Sequence, residues 1–299
     1  MLKFLKISTA LGSKIESNDD IAGKVGWSSE EILNKTGINQ RFISNEIETT
    51  EELALKSYKK IEKNQNIKDV DLIISVSNTP SILFPSIGHY VYQSSEITDA
   101  KIIGLNAGCT GYLDCLSIAI DMFENNRSEK ALILTADTYS KHIPITERST
   151  RTLFSDGASA TLIKKSKNGF KRKKEVNTSL KGTFDKLLMK SNNHIEMDGP
   201  GVLHFGISKV IKEINFLIDE EDSLDIFPHQ AGKIMLETLQ KKIKGNHIFH
   251  QNYENFGNLV STSIPNLLEH KFNVLNASTK FLLSGFGVGL SHHSILFNK

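Results

Sequence analysis

Residues 101–124, KIIGLNAGCTGYLDCLSIAIDMFE, join a short apolar run, a cysteine flanked by glycines and an amphipathic helix pattern. Residues 101–105 are nearly continuously apolar, which predicts a strand covered on both faces. Residues 111–124 have the spacing of a helix with one apolar side. That side comprises Leu113, Leu116, Ile120 and Phe123. A strand that runs directly into a helix is the building unit of an α/β fold.

The alternation of strand and helix continues on both sides of this stretch. Apolar runs predict strands at residues 2–9, 71–76, 130–135 and 157–164. A helix is predicted at residues 29–35, with a serine cap at its start and Gly37 just past its end. A longer helix is predicted at residues 50–63, with Thr50 as its cap.

The second half of the chain repeats the order of the first. Residues 224–227 correspond to 71–74, residues 248–257 to 101–108, and residues 280–284 to 130–135. The three offsets are each about 150 residues, and the closing run 291–297 corresponds to 158–163 at about 134. We interpret this as an internal duplication that builds two parallel-type sheets with helices on their faces.

The join between the halves is strongly basic, with seven Lys and Arg side chains in residues 164–174. We interpret this segment as a solvated connecting loop, and a docking patch for an acidic partner is the alternative. The resulting division is an N-terminal half, residues 1–165, and a C-terminal half, residues 175–299.

Composition excludes several classes of protein. The 299 residues are 39% hydrophobic and 23% charged, which is typical of a folded soluble chain. The net charge of +2 is too small for a dedicated nucleic-acid binder. Two cysteines cannot form a disulfide framework, and neither a leader nor a long apolar span is apparent. We therefore expect a cytoplasmic protein with no nucleic-acid or membrane partner.

Cys109 is the first candidate for chemistry. It lies between the strand that ends at Leu105 and the helix that begins at Gly111, so its sulfur is expected over a helix N-terminus. Unpaired N–H groups and the helix dipole at that point favour thiolate over thiol. Gly108 and Gly111 allow close approach of backbone and substrate. The alternative is a buried structural cysteine, the interpretation we give to Cys115.

His229 is the second candidate. It follows the predicted strand at residues 224–227, where Pro228 ends the strand and Gly232 frees the next turn. A histidine at the carboxyl end of a buried strand faces the crevice in which such sheets bind ligands. A structural histidine is the alternative reading of the residue by itself.

Asn258 is the third candidate, at the expected end of the next strand and the start of a helix at residues 259–268. By itself it is explained as a helix cap. If the chain is duplicated, Asn258 is the counterpart of Cys109, because each lies where a strand joins a helix. A pseudo-twofold relation between the halves would bring these two junctions face to face. The sequence therefore predicts that Cys109, His229 and Asn258 converge.

Three motifs resemble the signatures of the ketoacyl-ACP synthase III family of the thiolase superfamily: residues 106–112 (NAGCTGY), 228–231 (PHQA) and 257–265, with Gly257-Asn258 and Ser263-Ile264-Pro265. Similarity also covers residues 36–38, 84–86, 148–158 and 284–287, so it spans nearly the whole chain. The resemblance implies a thiolase fold, in which two duplicated α/β halves form a five-layered αβαβα sandwich.

The resemblance implies an acyltransferase. Cys109 would take the acyl group of an acyl-CoA or acyl-ACP. Malonyl-ACP would then lose CO₂ and attack the acyl-cysteine, while His229 and Asn258 donate hydrogen bonds to the developing enolate. Backbone N–H groups of Cys109 and Val288 would form the oxyanion hole. Acyl carrier protein is the implied partner, and neither a metal nor a cofactor is implied.

Other positions acquire roles from the same resemblance. Phe84 matches a residue that relatives insert into the acyl pocket of the neighbouring subunit, which implies a homodimer. Arg148 matches an arginine near the CoA nucleotide. Substrate-pocket positions are implied for Lys35, Phe154, Phe286 and Gly287, and plain core packing is the alternative for the two phenylalanines.

The sequence departs from the family pattern where relatives bind CoA and carrier protein. Glu31 stands where relatives have the tryptophan that stacks on adenine, and Trp27 lies four residues too early. Lys35 replaces an arginine and loses its planar fork. Gly232 stands in place of an asparagine, and Ile234 in place of a basic docking residue. These changes predict a specialised pathway, such as one that makes a polysaccharide acyl group or a secondary metabolite.

Two other functions remain open on the sequence alone. The first is transfer of the acyl group from Cys109 to an oxygen or nitrogen nucleophile, with His229 as general base. The second is a non-catalytic partner subunit, which the presence of Cys109, His229 and Asn258 disfavours. The histidine pairs 247/250 and 292/293 lack partners at ligand spacing in the sequence, so we expect no zinc site.

Overall fold

The computed structural model describes residues 1–190 and 193–299. The strands, in chain order, are β1 (Leu2–Leu11), β2 (Lys14–Ser17), β3 (Gln40–Ile43), β4 (Leu72–Val76), β5 (Lys101–Leu105), β6 (Lys130–Asp137), β7 (Gly157–Lys165), β8 (Lys171–Ser179), β9 (Leu187–Met189), β10 (Ile195–Met197), β11 (Asp225–Pro228), β12 (Ile248–Phe249), β13 (Lys280–Gly287) and β14 (Ser291–Asn298).

The helices are α1 (Asn18–Val25), α2 (Ser29–Thr36), α3 (Thr50–Glu62), α4 (Ile87–Gln93), α5 (Gly111–Glu124), α6 (Arg148–Arg151), α7 (Gly199–Phe205), α8 (Ile211–Leu217), α9 (Lys233–Lys242), α10 (Tyr253–Phe256), α11 (Ser263–His270) and α12 (Phe272–Ala277). Short 3₁₀ turns lie at Tyr139–His142 and Val260–Thr262, and a π-helical turn lies at Gly206–Val210.

The two large sheets have the same strand order. The first is β1-β7-β6-β4-β5 and the second is β8-β14-β13-β11-β12. The correspondences predicted from the sequence, β11 with β4, β12 with β5, β13 with β6 and β14 with β7, therefore hold in space. The division of the chain at residues 1–165 and 175–299 stays a prediction.

Both sheets are mixed, whereas the sequence suggested parallel-type sheets. In the first sheet, β6, β4 and β5 are parallel, whereas β7 and β1 each run antiparallel to their neighbours. In the second sheet, β13, β11 and β12 are parallel, whereas β14 and β8 each run antiparallel to their neighbours. The reason is plainest in the second sheet, where only a short turn separates β13 from β14. A parallel pairing requires a crossover of a dozen or more residues, so this turn enforces an antiparallel pair.

Helix caps explain the small errors at predicted helix starts. Thr49, and not Thr50, caps α3, because Thr49 and Glu52 form a reciprocal capping box. Ser28 caps α2 in the same way with Glu31, whose carboxylate accepts the Ser28 N–H at 2.7 Å. In both cases the carboxylate three residues onward selects the cap.

The basic segment 164–174 is not a loop, which corrects the sequence interpretation. Its two ends belong to β7 and β8, and only residues 166–170 connect the sheets. Several of its cations are paired within the chain: Arg172 with Asp121 and Lys173 with Glu221, both at 2.5 Å. These ion pairs neutralise basic side chains that, in the docking-patch alternative, would bind an acidic partner.

Five layers result from this arrangement. Helices α5 and α11 lie between the two sheets, where Leu116 and Leu267 are fully buried in one apolar cluster with residues of both sheets. Helix α3 covers the outer face of the first sheet, and α8 and α9 cover that of the second. The apolar side predicted for α5 is buried as expected. The middle layer thus brings the starts of α5 and α11 to one place.

Candidate active site

The elbow between β5 and α5 holds Cys109 in a tight turn. The Gly111 N–H donates to the Gly108 carbonyl at 2.8 Å, and the cysteine is only 5% exposed. A Cβ at Gly108 would lie 2.6 Å from Val288 Cγ2, and one at Gly111 would lie 2.5 Å from Val76 Cγ2. The close approach predicted for both glycines is confirmed, because a side chain at either position would displace its neighbours.

The sulfur of Cys109 faces the end of β13. A Cβ at Gly287 would lie 2.8 Å from Sγ, so glycine keeps this side of the sulfur open. Burial, assisted by the negative charge of Asp137, raises the pKa of Cys109 to about 12, although the N–H groups of Cys109 and Val288 lower it. The expectation of a thiolate is therefore wrong for the unliganded protein, because desolvation outweighs the donors at the helix start.

His229 follows β11 directly, as the sequence predicted. Its backbone N–H donates to the Ser284 carbonyl at 2.7 Å, which fixes the turn to the end of β13. The imidazole packs against the edge of Phe286, with ring centroids 5.5 Å apart. Burial lowers the pKa of His229 to about 3, so the ring is neutral at physiological pH. Among the described residues, the buried Nδ1 atom has no hydrogen-bond partner.

Asn258 lies in a loop and not at the junction of a strand and a helix. Its backbone N–H donates to the Leu153 carbonyl, and its own carbonyl accepts from Ser155, both at 2.9 Å. Helix α11 begins only at Ser263, after the 3₁₀ turn. The helix predicted at residues 259–268 therefore begins four residues later and ends two residues later than expected, because strand-like pairing with residues 153–155 holds Asn258 in the loop.

The side chain of Asn258 is oriented by its own loop. Oδ1 accepts the Val260 N–H at 2.9 Å, which leaves the amide NH₂ as the group that Asn258 offers to a ligand. Two hydrogen bonds connect this loop to strand β6 of the other half. Ser261 Oγ donates to Asp137 at 2.5 Å, and the hydroxyls of Thr135 and Thr262 are 2.7 Å apart.

One cavity of about 440 Å³ is bordered by Cys109, His229 and Asn258. It is mostly apolar, and its wall also includes the pocket residues expected from the resemblance, Lys35, Phe154, Phe286 and Gly287. The convergence predicted for the three candidate residues is therefore present in the fold. Their catalytic roles stay predictions.

Trp27 borders the same cavity, which the sequence comparison missed. Its ring lies 5.1 Å from Lys35 Nζ and 5.7 Å from the Arg148 guanidinium carbon, measured to the ring centroid. We expected Trp27 to lie too early in the chain for a role beside Arg148. This expectation is wrong, because the loop before α2 places the Trp27 ring next to Arg148. Glu31 instead lies in the first turn of that helix, where its carboxylate completes the capping box with Ser28. The signal available in the sequence was that Trp27 is the chain's single tryptophan.

The remaining predicted positions lie away from the cavity wall or at its rim. Phe84 is 85% exposed and does not border the cavity. Gly232 has φ +104°, a conformation that residues with a side chain rarely adopt, so glycine fits this position. Lys233 borders the cavity and Ile234 is half exposed.

The histidine pair 292/293 has carboxylate partners that its sequence neighbours did not reveal. His292 pairs with Glu213, and His293 pairs with both Asp114 and Glu175, each at 2.7 Å. These are ion-pair and hydrogen-bond contacts. In residues 1–190 and 193–299, no group of three His, Cys, Asp or Glu side chains is placed to hold a metal ion.

A further property of the described helices concerns membranes. None of those in the described ranges is both long enough and apolar enough to span a bilayer.

Comparisons with known proteins identify the family of this chain. Residues 103–181 match the family described as 3-oxoacyl-[acyl-carrier-protein (ACP)] synthase III, and residues 218–299 match its C-terminal domain. The beta-ketoacyl-[acyl-carrier-protein] synthase III of Streptococcus agalactiae serotype III (strain NEM316) is 32% identical over 308 residues, with 95% of each chain covered. That of Clostridium botulinum (strain Loch Maree / Type A3) is 34% identical, with 93% of this chain and 92% of the relative covered.

Solved structures give the same result for the fold. A 2.1 Å crystal structure of a 3-oxoacyl-(acyl-carrier-protein) synthase III has a TM-score of 0.91 at 28% identity and covers 100% of this chain and 99% of that one. The enzyme from Aquifex aeolicus VF5 has a TM-score of 0.89 at 24% identity, with both chains covered completely. The fold is the thiolase fold, and the chain belongs to the 3-oxoacyl-[acyl-carrier-protein] synthase III family.

Proposed function

We propose that this protein is a condensing acyltransferase of fatty-acid type, which joins an acyl thioester to malonyl-ACP and yields 3-oxoacyl-ACP. The observation that carries the proposal is the single cavity bordered by Cys109, His229 and Asn258. A nucleophile and two neutral hydrogen-bond donors at one cavity floor match the needs of acyl transfer followed by decarboxylation.

In the first step, Cys109 attacks the carbonyl carbon of the acyl thioester. The bond from that carbon to the carrier sulfur breaks, and the carrier thiolate leaves with the proton of the Cys109 thiol. Because burial holds the pKa of Cys109 at about 12, the proton must leave as the new bond forms. The N–H groups of Cys109 and Val288, both of which lower the pKa of the thiol, would receive the negative charge of the tetrahedral intermediate.

In the second step, malonyl-ACP loses CO₂. The electron pair of the broken carbon–carbon bond forms an enolate, whose oxygen accepts hydrogen bonds from the His229 ring and the Asn258 NH₂. The enolate carbon attacks the acyl carbon, and Cys109 leaves as a thiolate that takes a proton from solvent. Neutral donors suit this step, since they stabilise the enolate without protonating it.

The low pKa of His229 supports condensation over the alternative acyl transfer. Acyl transfer to an oxygen or nitrogen nucleophile needs a general base with a pKa near the working pH. At about 3, the pKa of His229 makes its ring a weak base, while the same ring remains an effective hydrogen-bond donor. The observation favours condensation.

The test of the proposal has two stages. The protein is incubated with acetyl-CoA, butyryl-CoA or the matching acyl-ACP, and the intact mass is measured for an acyl adduct. Malonyl-ACP is then added, and CO₂ release and 3-oxoacyl-ACP are quantified. We expect an adduct and then condensation. An adduct that turns over only with an alcohol or amine would refute condensation, and the lack of any adduct would refute the acyltransferase altogether.

Trp27 and Arg148 are proposed to bind the nucleotide of an acyl-CoA primer by stacking. We predict that Trp27→Ala raises the KM for acyl-CoA about tenfold and changes kcat little, because ring stacking contributes ~1–3 kcal/mol. Steady-state kinetics check this, with an acyl-pantetheine thioester that lacks the nucleotide as the control substrate. An equal rise in KM for both substrates would show that Trp27 acts on something other than the nucleotide.

A homodimer is proposed from the exposed apolar segment at residues 82–84, where Phe84 and Leu83 are each more than 80% exposed. A large apolar side chain left in water marks an interaction surface. We predict that Phe84→Asp weakens the dimer at least about tenfold in sedimentation equilibrium, since a buried aromatic anchor contributes ~2 kcal/mol or more. Phe216→Asp, an exposed aromatic on α8, is the matched control. A wild-type monomer at micromolar concentration would exclude the dimer.

A specialised pathway remains part of the proposal and rests on the surface around Gly232 and Ile234. The resemblance implies a polar and a basic side chain at these positions, and here a glycine with positive φ and a half-exposed isoleucine stand instead. Such a rim would suit a carrier protein with a less acidic contact surface.

A further inference from the structure

A second cavity, of about 340 Å³, lies on the other side of the Cys109 elbow. Gly287 borders the first cavity, whereas the next two residues, Val288 and Gly289, border the second. The Cys109 sulfur faces Gly287, and the preceding residue Gly108 packs against Val288 and Asn78, so the cysteine turn lies between the two cavities. Leu187 borders both of them. An acyl group on Cys109 therefore has a space of its own, separate from the one through which a carrier arm would enter.

The second cavity has two unlike walls. One wall is apolar and is formed mainly by Phe184, the strand Leu187–Met189 and Ile195. The other presents the side chains of Asn78, Thr79, Asn106 and Tyr139. A saturated acyl chain packs well against the apolar wall. At the polar wall it displaces water without replacing the hydrogen bonds that the water made, which makes binding there unfavourable.

Tyr139 stands at the inner end of the polar wall, next to the reacting sulfur. It is only 3% exposed, and its ring contacts that of Phe154, with centroids 4.9 Å apart. Its hydroxyl donates to Asn78 Oδ1 at 3.2 Å. The Asn78 NH₂ donates in turn to Asn106. The phenol oxygen retains a lone pair that can accept a hydrogen bond from a substrate.

The position of Asn78 is held by the same elbow. Its backbone N–H donates to Asp137 at 2.8 Å, and a Cβ at Gly108 would lie 2.9 Å from its Oδ1. The tyrosine, the asparagine and the cysteine turn are therefore packed as one unit. A ligand group that reaches the phenol oxygen does so within a short chain length of the sulfur.

We propose that Tyr139 selects the acyl group that Cys109 carries, and favours a short acyl chain with a hydroxyl substituent over the unsubstituted chain. The inference deepens the proposed function and depends on acylation of Cys109. The hydroxyl of such a chain donates to the phenol oxygen and accepts from the free N–H of Asn78 or Asn106, while its carbons contact the apolar wall.

The test compares primers of equal length. The value of kcat/KM for acylation of the full-length protein is measured by intact mass and quenched-flow with butyryl-CoA and with 3- and 4-hydroxybutyryl-CoA. The ratio of interest is that of the better hydroxy primer to butyryl-CoA. Tyr139→Phe removes the hydroxyl and keeps the ring. Tyr92→Phe, which removes a hydroxyl bonded to Thr98 on helix α4 far from either cavity, is the matched control.

We expect a wild-type ratio above one and a decrease of at least about fivefold in Tyr139→Phe, which corresponds to ~1 kcal/mol for one lost hydrogen bond. We expect Tyr92→Phe to keep the wild-type ratio. A wild-type ratio of one or less overturns the inference, as does a decrease smaller than about fivefold. If adducts form with such ratios, only this inference fails; if no primer forms an adduct, the proposed function fails with it.

Discussion

Cys109→Ala leaves no acyl adduct and no condensation. The variant removes the only thiol that borders the 440 Å³ cavity among the described residues, and the neighbouring hydroxyl of Thr110 donates to Asp114. Loss of a covalent nucleophile typically lowers the rate by a thousandfold or more. The alanine is smaller than the thiol and fits between Gly108 and Gly287, so the fold is expected to remain intact.

Intact mass after incubation with acyl-CoA is the measurement, and thermal unfolding confirms that the variant is folded. Cys115→Ala is a close control, because Cys115 lies on α5, is fully buried and borders neither cavity. It is expected to acylate at the wild-type rate after any loss of stability is allowed for. Full acylation of Cys109→Ala would show that another residue is the nucleophile. Loss of acylation in Cys115→Ala, at a temperature where that variant is folded, would show the same.

Asn258→Ala separates the two half-reactions. In the proposed mechanism, acylation uses the sulfur of Cys109 and the N–H groups of Cys109 and Val288, whereas Asn258 Oδ1 is bonded to the Val260 N–H of its own loop. In the same mechanism, decarboxylation uses the Asn258 NH₂ as one of two donors to the enolate oxygen. Loss of a donor to a developing oxyanion costs ~2.7–4 kcal/mol, or about 10²–10³ in rate. We therefore expect acylation within about threefold of wild type and condensation reduced by that factor.

The two rates are measured separately, acylation by intact mass and condensation by CO₂ release from malonyl-ACP on the pre-acylated protein. Asn276→Ala, at an exposed position on α12, is the control for asparagine removal as such. If Asn258→Ala loses acylation as fully as condensation while it remains folded, then Asn258 supports the elbow of Cys109 and does not act on the enolate.

Local sequence patterns predicted the frame of this fold well. The bounds of β5 and α5 agree with the expected ones at both ends, because an apolar run, two glycines and a helical period all indicate the same structure there. The expectation that β5 is covered on both faces is wrong, because β5 is the edge strand of its sheet and its residues are exposed or half-buried. The repeat of strand order was also recoverable, since each buried strand keeps its apolar character. Strand direction was not, because pairing partners far apart in the chain determine whether a strand runs parallel.

The site was predictable where motifs lie on regular elements and less so elsewhere. His229 follows a strand as expected, whereas Asn258 is fixed by backbone pairing with Leu153 and Ser155, about one hundred residues away. Trp27 joins Arg148 across a similar separation. The ionisation of Cys109 depends on how much water the folded cavity admits, which no local pattern contains.

The loop that carries Asn258 is held by hydrogen bonds to β6: Ser261 donates to Asp137, and the hydroxyls of Thr262 and Thr135 bond to each other. The position of the Asn258 amide therefore depends on a strand in the half of the chain that contains Cys109. A substitution that shifts β6 is expected to displace this amide, although the two lie more than one hundred residues apart in the sequence.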